Sequence, residues 1–201
     1  MSMFDVRKQL TFYGAYHSNP INVLIHVICV PLIQWSAWSM AYRIPTKGLL
    51  PDIHYDINEY LVFDLNAAAI HAIISIAYYF LLEPTAAFLY APQGIAIILS
   101  ATAVGQNHPE LFTYVLGIHV ACWILQFIGH GVAEKRAPAL FDNLLQAIFL
   151  APFFVHIEIL FTLFGYNPEL QKHLKNDVGV EIARIRKLDG DKKRGQVKKS
   201  N

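Results

Sequence analysis

Charge is what this chain has little of. Of its 201 residues, 15% are charged and 55% hydrophobic, and the mean hydropathy is +0.36. A soluble domain carries about a quarter charged residues, so the composition points to a bilayer rather than to water. Cysteine is scarce as well. Cys29 and Cys122 are the two in the chain, and both fall inside apolar runs. That argues against a disulfide framework and for burial. Signatures that would announce a chemistry are also missing. There is no HExxH, CxxC, GxSxG or Walker-type loop, which leaves zincin, serine-hydrolase and P-loop chemistry unsupported. The HxxxH and HxxHH boxes expected of membrane di-iron desaturases and hydroxylases are absent too. The first twenty residues are polar and aromatic, without the continuous apolar core of a cleavable signal peptide. Insertion is therefore expected to rely on internal segments.

What the chain does have is long apolar runs. A short helix is expected over 5–17. Ser18-Asn19-Pro20 then reads as a stop and a restart, with Ser or Asn as cap and Pro in the first turn. The helix that follows, Pro20–Tyr42, can cross about 30 Å of hydrocarbon, with Pro31 expected to kink it. Residues 43–60 read as a polar loop. Further spans fit Leu61–Leu82, Ala86–Val104 and Leu111–Ile128. Residues 139–165 are apolar but broken by Pro152 and interrupted by Asp142, Asn143, His156 and Glu158, which fits two short helices in a re-entrant or interfacial hairpin. The expected fold is all-α, a polytopic membrane helical bundle of about four spans plus that broken hairpin. Residues 1–175 would form one membrane-embedded catalytic domain, and 176–201 a basic cytosolic tail that is a helix at first and partly disordered beyond.

Basic residues set the orientation. Ten of the 16 Lys and Arg lie in 172–201. Arg7, Lys8, Lys135 and Arg136 fall on the same side once four spans are threaded. The 43–60 loop, with Asp52, Asp56 and Glu59 against Arg43 and Lys47, falls on the other. The basic segments are therefore expected in the cytosol, where the tail also suits an anionic leaflet.

Three histidines then become informative. His17, His26 and His130 each lie at or just inside the end of an apolar stretch, where an ionisable side chain is costly and marks a candidate site. The topology puts all three at one depth near the cytosolic face. Asn22 and His26 share a helix face, as do Gln126, His130 and Glu134 if the helix runs through the flanking glycines. Glu134 is then placed to orient a histidine, to ligate metal or to act as a base. His156 in the hairpin is a weaker fourth candidate ligand. His54 and His108 map to the opposite side, His71 and His119 to mid-span, and His173 to the polar tail. Imidazole with or without carboxylate suits Fe, Zn, Cu or Ni, and the residues alone do not choose among them.

Two longer motifs narrow the choice. YGAYHSNPINVLIHVICVP and WILQFIGHGVAEKRAPALFDNLLQAIFLAPFF resemble a widespread family of small membrane proteins whose fungal members are similar to the endoplasmic reticulum 2-hydroxy fatty acid dioxygenase. The likeness covers roughly residues 4–175. It implies an Fe(II)-dependent α-oxidation in which a 2-hydroxy fatty acid such as 2-hydroxypalmitate reacts with dioxygen and loses one carbon, within phytosphingosine degradation. It also implies a multi-pass protein of the endoplasmic reticulum membrane with both termini cytosolic, and no nucleic-acid partner. The family pattern falls on His17, Asn22, His26, His130 and Glu134, with Pro138 and Asp142 adjoining. His71, His119 and His156 match none of its motifs, and the 43–60 loop is longer than its pattern. On this basis His17, His26 and His130 hold the iron, the fourth position falls to His156, Glu134 or water, and Asn22 and Glu134 serve catalysis. The acyl chain would run along Phe127, Phe141, Phe149 and Phe153, with Lys135 or Arg136 drawing in the carboxylate. Two other readings stand beside this one: a non-catalytic membrane scaffold or assembly protein, and a zinc-dependent lipid hydrolase with Glu134 as base.

Overall fold

The computed structural model describes residues 3–135 and 146–200. Its first helix, α1 (Val6–Tyr16), is capped by Asp5, whose carboxylate accepts from the Lys8 N–H. The chain turns at His17 and Ser18. Asn19 caps α2 (Pro20–Ala41), its Oδ1 accepting from the Ile21 N–H at 2.9 Å, with Pro20 in the first turn. Pro31 lies inside α2 without ending it.

Beyond α2 the expected second span changes character. Leu61–Asp64 is not helical. It forms strand β2, paired antiparallel with β1 (His54–Asn58). The Tyr60 N–H donates to Asn58 Oδ1 and closes the turn. The run Leu61-Val62-Phe63 is as good a strand as a helix, because β-branched and aromatic residues favour a pleated surface, and Val62 is fully buried there. The helix starts only where Asn66 caps it, its Oδ1 accepting from the Ala69 N–H at 3.0 Å. This helix, α3 (Ala67–Leu82), has 16 residues, about 24 Å at 1.5 Å per residue. It falls short of the ~30 Å hydrocarbon core.

Then come α4 (Pro84–Asn107), a 3-10 turn, α5 (Phe112–Ile128), a π turn over Gly129–Glu134, a second π turn over Gln146–Leu150, α6 (Ala151–Phe164) and α7 (Pro168–Ser200). Among the described residues, three helical segments, Pro20–Ala41, Pro84–Asn107 and Pro109–Glu134, are long and apolar enough to cross a bilayer. A fourth crossing is counted if Ile148–Phe164 and Pro168–Leu188, bent by 117°, act as one. The protein is thus a helical membrane bundle with a bent helix pair. The bend falls after Gly165, which takes φ +60°, rather than at Pro152, which sits in the first turn of α6. The basic segment is one helix whose first half lies along α1, through the Arg7–Asp177 ion pair and Val178 against Gly14.

The first half of α2 exposes apolar side chains and buries polar ones. On α2, Asn22, His26, Gln34, Ser36 and Ser39 are buried, while Ile21, Leu24 and Ile28 are exposed. Apolar side chains that point outward are at home in lipid, and of the polar ones turned inward His26 and Gln34 line a cavity. The two ends of the bundle are distinct. At one end, α2 runs out beside the α4–α5 turn, where Arg43 donates to the Pro109 carbonyl and Asn107 to the Glu59 carbonyl. His54 and His108 belong to this end. At the other end lie the start of α2 and the π turn after α5.

Candidate metal centre

The π turn meets the start of α2 at a close approach. A Cβ on Gly129 would lie 2.5 Å from Asn22 Oδ1, so only glycine lets the two segments come this near. Asn22 is fully buried. Glu134, at the end of the π turn, fastens the junction. Its carboxylate accepts from Ser18 Oγ at 3.0 Å, from the Asn19 N–H at 2.6 Å and from Asn22 Nδ2 at 3.3 Å. Asn19 Nδ2 donates back to the Ala133 carbonyl at 3.1 Å. An anion accepting from the first N–H groups of a helix also meets the positive end of its dipole. Lys135 ends the turn in the left-handed region, φ 55°, with its side chain exposed.

This junction brings three imidazoles together. The ring centroids of His17 and His26 are 4.4 Å apart, those of His17 and His130 4.8 Å, and those of His26 and His130 4.9 Å. Each pair is close to perpendicular, at 76°, 72° and 80°. One nitrogen of each lies within 4.8 Å of the others. The tautomers of two rings follow from their partners. His17 Nδ1 sits 2.8 Å from the Tyr13 carbonyl and His26 Nδ1 2.9 Å from the Asn22 carbonyl. A carbonyl only accepts, so both rings carry the proton on Nδ1 and keep the Nε2 lone pair free. A backbone carbonyl on the far nitrogen is the usual support of a metal-bound histidine. His130 Nδ1 is buried and has no partner. Ring nitrogens left without a donor fit a cation. No thiolate joins the group, so the donor set suits Fe, Zn, Cu or Ni.

The triad closes one end of a cavity of about 580 Å³. Its wall follows one face of α2 through His26, Val30, Gln34, Ala37, Trp38 and Ala41, a run of about 22 Å at the helical rise. Among the described residues, no Asp, Glu, Lys or Arg lines it. Towards the far end stand two further histidines. Trp38 Nε1 donates to His71 Nδ1 at 3.2 Å, and His71 stacks on Phe149. Trp123 Nε1 donates to His119 Nε2 at 3.0 Å, so the His119 proton is on Nδ1 and goes to Ser36 Oγ at 2.9 Å. Ser36 passes its own proton to the Leu32 carbonyl at 2.7 Å.

Several expected positions move. His156 does not join the triad. Its Nδ1 lies 3.2 Å from Gln93 Oε1 and its ring packs edge-on to Tyr90, which keeps it between α4 and α6. Both oxygens of Glu134 are taken up at the start of α2 instead of meeting a histidine. Phe127 lines the cavity, but Phe153 does not. It is fully buried and stacked on Tyr79 at 4.4 Å. Lys135 lies outside the lining, and Arg136, Pro138, Phe141 and Asp142 lie outside the described residues. Tyr13 was missed. It stacks on His17 with centroids 4.0 Å apart, and its i, i+4 spacing from His17 was the available signal.

Residues 3–163 match the family described as 2-hydroxy-palmitic acid dioxygenase Mpo1-like. The chain belongs to the Mpo1-like family. It is 38% identical over 185 residues to the 2-hydroxy-palmitic acid dioxygenase MPO1 of Saccharomyces cerevisiae, covering 92% of this chain and 95% of that protein. No solved structure matches it. This family member therefore combines a triad able to hold a metal ion, a long cavity that no charged side chain lines among the described residues, and a relative named for dioxygenase chemistry on a fatty acid.

Proposed function

We propose that this chain is an iron-dependent 2-hydroxy fatty acid dioxygenase that shortens acids such as 2-hydroxypalmitate by one carbon, as a step of phytosphingosine degradation. The observation that carries this reading is the three-histidine cluster at the end of an apolar cavity, in a chain 38% identical to a protein named as a 2-hydroxy-palmitic acid dioxygenase. His17, His26 and His130 would hold Fe(II), which supplies the one-electron chemistry that dioxygen needs before it can react with a closed-shell acid. The chain's own residues do the rest. The Tyr13 and Asn22 carbonyls fix two of the rings. Asn22 and Glu134 hold the π turn against α2, so their part in catalysis is to position His26 and His130. The cavity receives the acyl chain along α2, past Val30, Ala37 and Phe127. Its apolar wall excludes water from the reacting end.

Localisation follows the same reading. The triad end carries Arg7, Lys8, Lys135 and the basic helix. This end faces the cytosol, both termini with it, in the endoplasmic reticulum membrane. Residues 1–175 are the catalytic domain, and the tail beyond rests on the anionic leaflet. Epitope accessibility at each terminus in sealed microsomes tests the orientation.

The decisive experiment is oxygen consumption by detergent-purified protein supplied with 2-hydroxypalmitate and Fe(II), with the odd-chain acid measured as product. One acid formed per dioxygen consumed supports the reading. Turnover without oxygen uptake would point to the zinc hydrolase, and fully folded protein that takes up no metal to the scaffold. The engagement of both Glu134 oxygens at the start of α2 already weighs against a hydrolase that uses this residue as its base.

A further inference from the structure

The cavity has to accept a carboxylate on the reading above, yet no cationic side chain lines it among the described residues. A carboxylate brought out of water needs donors in place of the ones it loses. Three side chains in the wall hold such donors unspent: His71 Nε2 towards the far end, and Tyr13 and Gln126 at the triad end. Tyr13 is 8% exposed and its hydroxyl is buried without a hydrogen-bond partner. Gln126 is 7% exposed and its Nε2 is in the same state. Buried polar groups normally have partners, so these two orphans call for an explanation, beside His130 Nδ1 in the triad itself and His71 Nε2 at the far end. Both stand next to the triad. Tyr13 is one helical turn before His17 and stacked on it, and Gln126 is one turn before His130. A water or an apolar tail would leave the pairing of these two positions with the two histidines unexplained. An acidic head group held at the triad would take up both.

We infer that the Tyr13 hydroxyl and the Gln126 amide form a neutral two-donor cradle for the substrate carboxylate, placed on the cavity side of the histidine triad. The inference rests on the 2-hydroxy acid reading for the identity of the ligand. Neutral donors suit this position. They fix the acid without competing with a metal ion for its charge. They also leave the cavity uncharged when it is empty, which a buried lysine or arginine would not. The cradle selects acids over alcohols and aldehydes of the same chain length.

The test uses full-length, iron-loaded protein in detergent under anaerobic conditions, so that binding is read without turnover. Tyr13→Phe and Gln126→Met each remove a donor with little change of shape. Binding of 2-hydroxypalmitate and of hexadecane-1,2-diol is followed through the fluorescence of Trp38 and Trp123, which stand in the cavity wall. Each substitution is expected to weaken the acid about tenfold, the scale of one hydrogen bond to a charged group. The diol should change by less than about twofold, and iron content should stay at the wild-type value. Equal losses for acid and diol, no loss for either, or loss of iron would overturn the cradle. In aerobic turnover the same variants should raise KM more than they lower kcat. A wild type that binds the acid tenfold better than the diol, yet consumes no oxygen, would overturn the dioxygenase reading and leave the carboxylate site standing.

Discussion

Two sets of histidines face the same cavity, and their hydrogen bonds divide them. In His17 and His26, Nδ1 is tied to a backbone carbonyl and Nε2 is left free, while His130 keeps a buried Nδ1 without any partner. In His119 both nitrogens are used, one accepting from Trp123 and the other donating to Ser36. All are imidazoles in an apolar bundle, so residue type and burial do not separate them. What separates them is whether the fold has spent the lone pair. A histidine with an indole N–H on its outward nitrogen is a structural link. One with a carbonyl behind it and nothing in front is ready for a ligand.

The largest expected effect breaks the first set. His17→Ala, His26→Ala and His130→Ala should each reduce bound metal below stoichiometry and take turnover of 2-hydroxypalmitate to background, with the protein still inserted. Metal analysis and oxygen uptake on the same preparation check this. Next is Gly129→Ala, which aims a Cβ at Asn22 Oδ1 from 2.5 Å. It should push the π turn off α2 and lower metal affinity by roughly 10- to 100-fold, as changes behind a ligand shell do. Glu134→Gln sharpens the comparison. It keeps the shape but turns an amide toward three donors, so it should cost about 1–3 kcal/mol of stability and lower turnover only in part. Full stability with complete loss of turnover would make Glu134 a base after all. His119→Phe leaves Trp123 and Ser36 without their partner. A loss of melting temperature with iron content unchanged is expected, and loss of iron would erase the distinction between the two sets. The smallest effects belong to His54→Ala and His108→Ala, at the other end of the bundle, where turnover should stay within measurement error. A fall comparable to that of the triad would mean that the topology is wrong.

Much of this is legible in the sequence. The three histidines stood out because the ends of apolar runs are poor places for an imidazole, and the basic residues put those ends on one side. The parity of the spans then separated His54 and His108 from them. What escaped had a local cause each time. The strand at Leu61–Asp64 was read as helix because a short apolar run has the same composition in both. His156 looked available because Gln93, which engages it, lies 63 residues away in sequence. The π turn breaks helical phase, so Glu134 and His130 do not follow the i, i+4 relation that would have aimed the carboxylate at the ring. Tyr13 carried the right spacing from His17, but an aromatic in a short helix reads as packing until its hydroxyl is found without a partner.

Phe127 and Ile148 line the cavity and are 45% and 47% exposed. The cavity is not fully enclosed, and these two apolar side chains belong to its lining. On the proposed reading, a fatty acid dissolved in the bilayer would enter sideways, with no passage through water. Under such an arrangement the concentration that governs the rate is the mole fraction of acid in the membrane. Diluting the membrane with inert lipid at constant bulk substrate should slow the reaction, and adding aqueous volume should leave it unchanged.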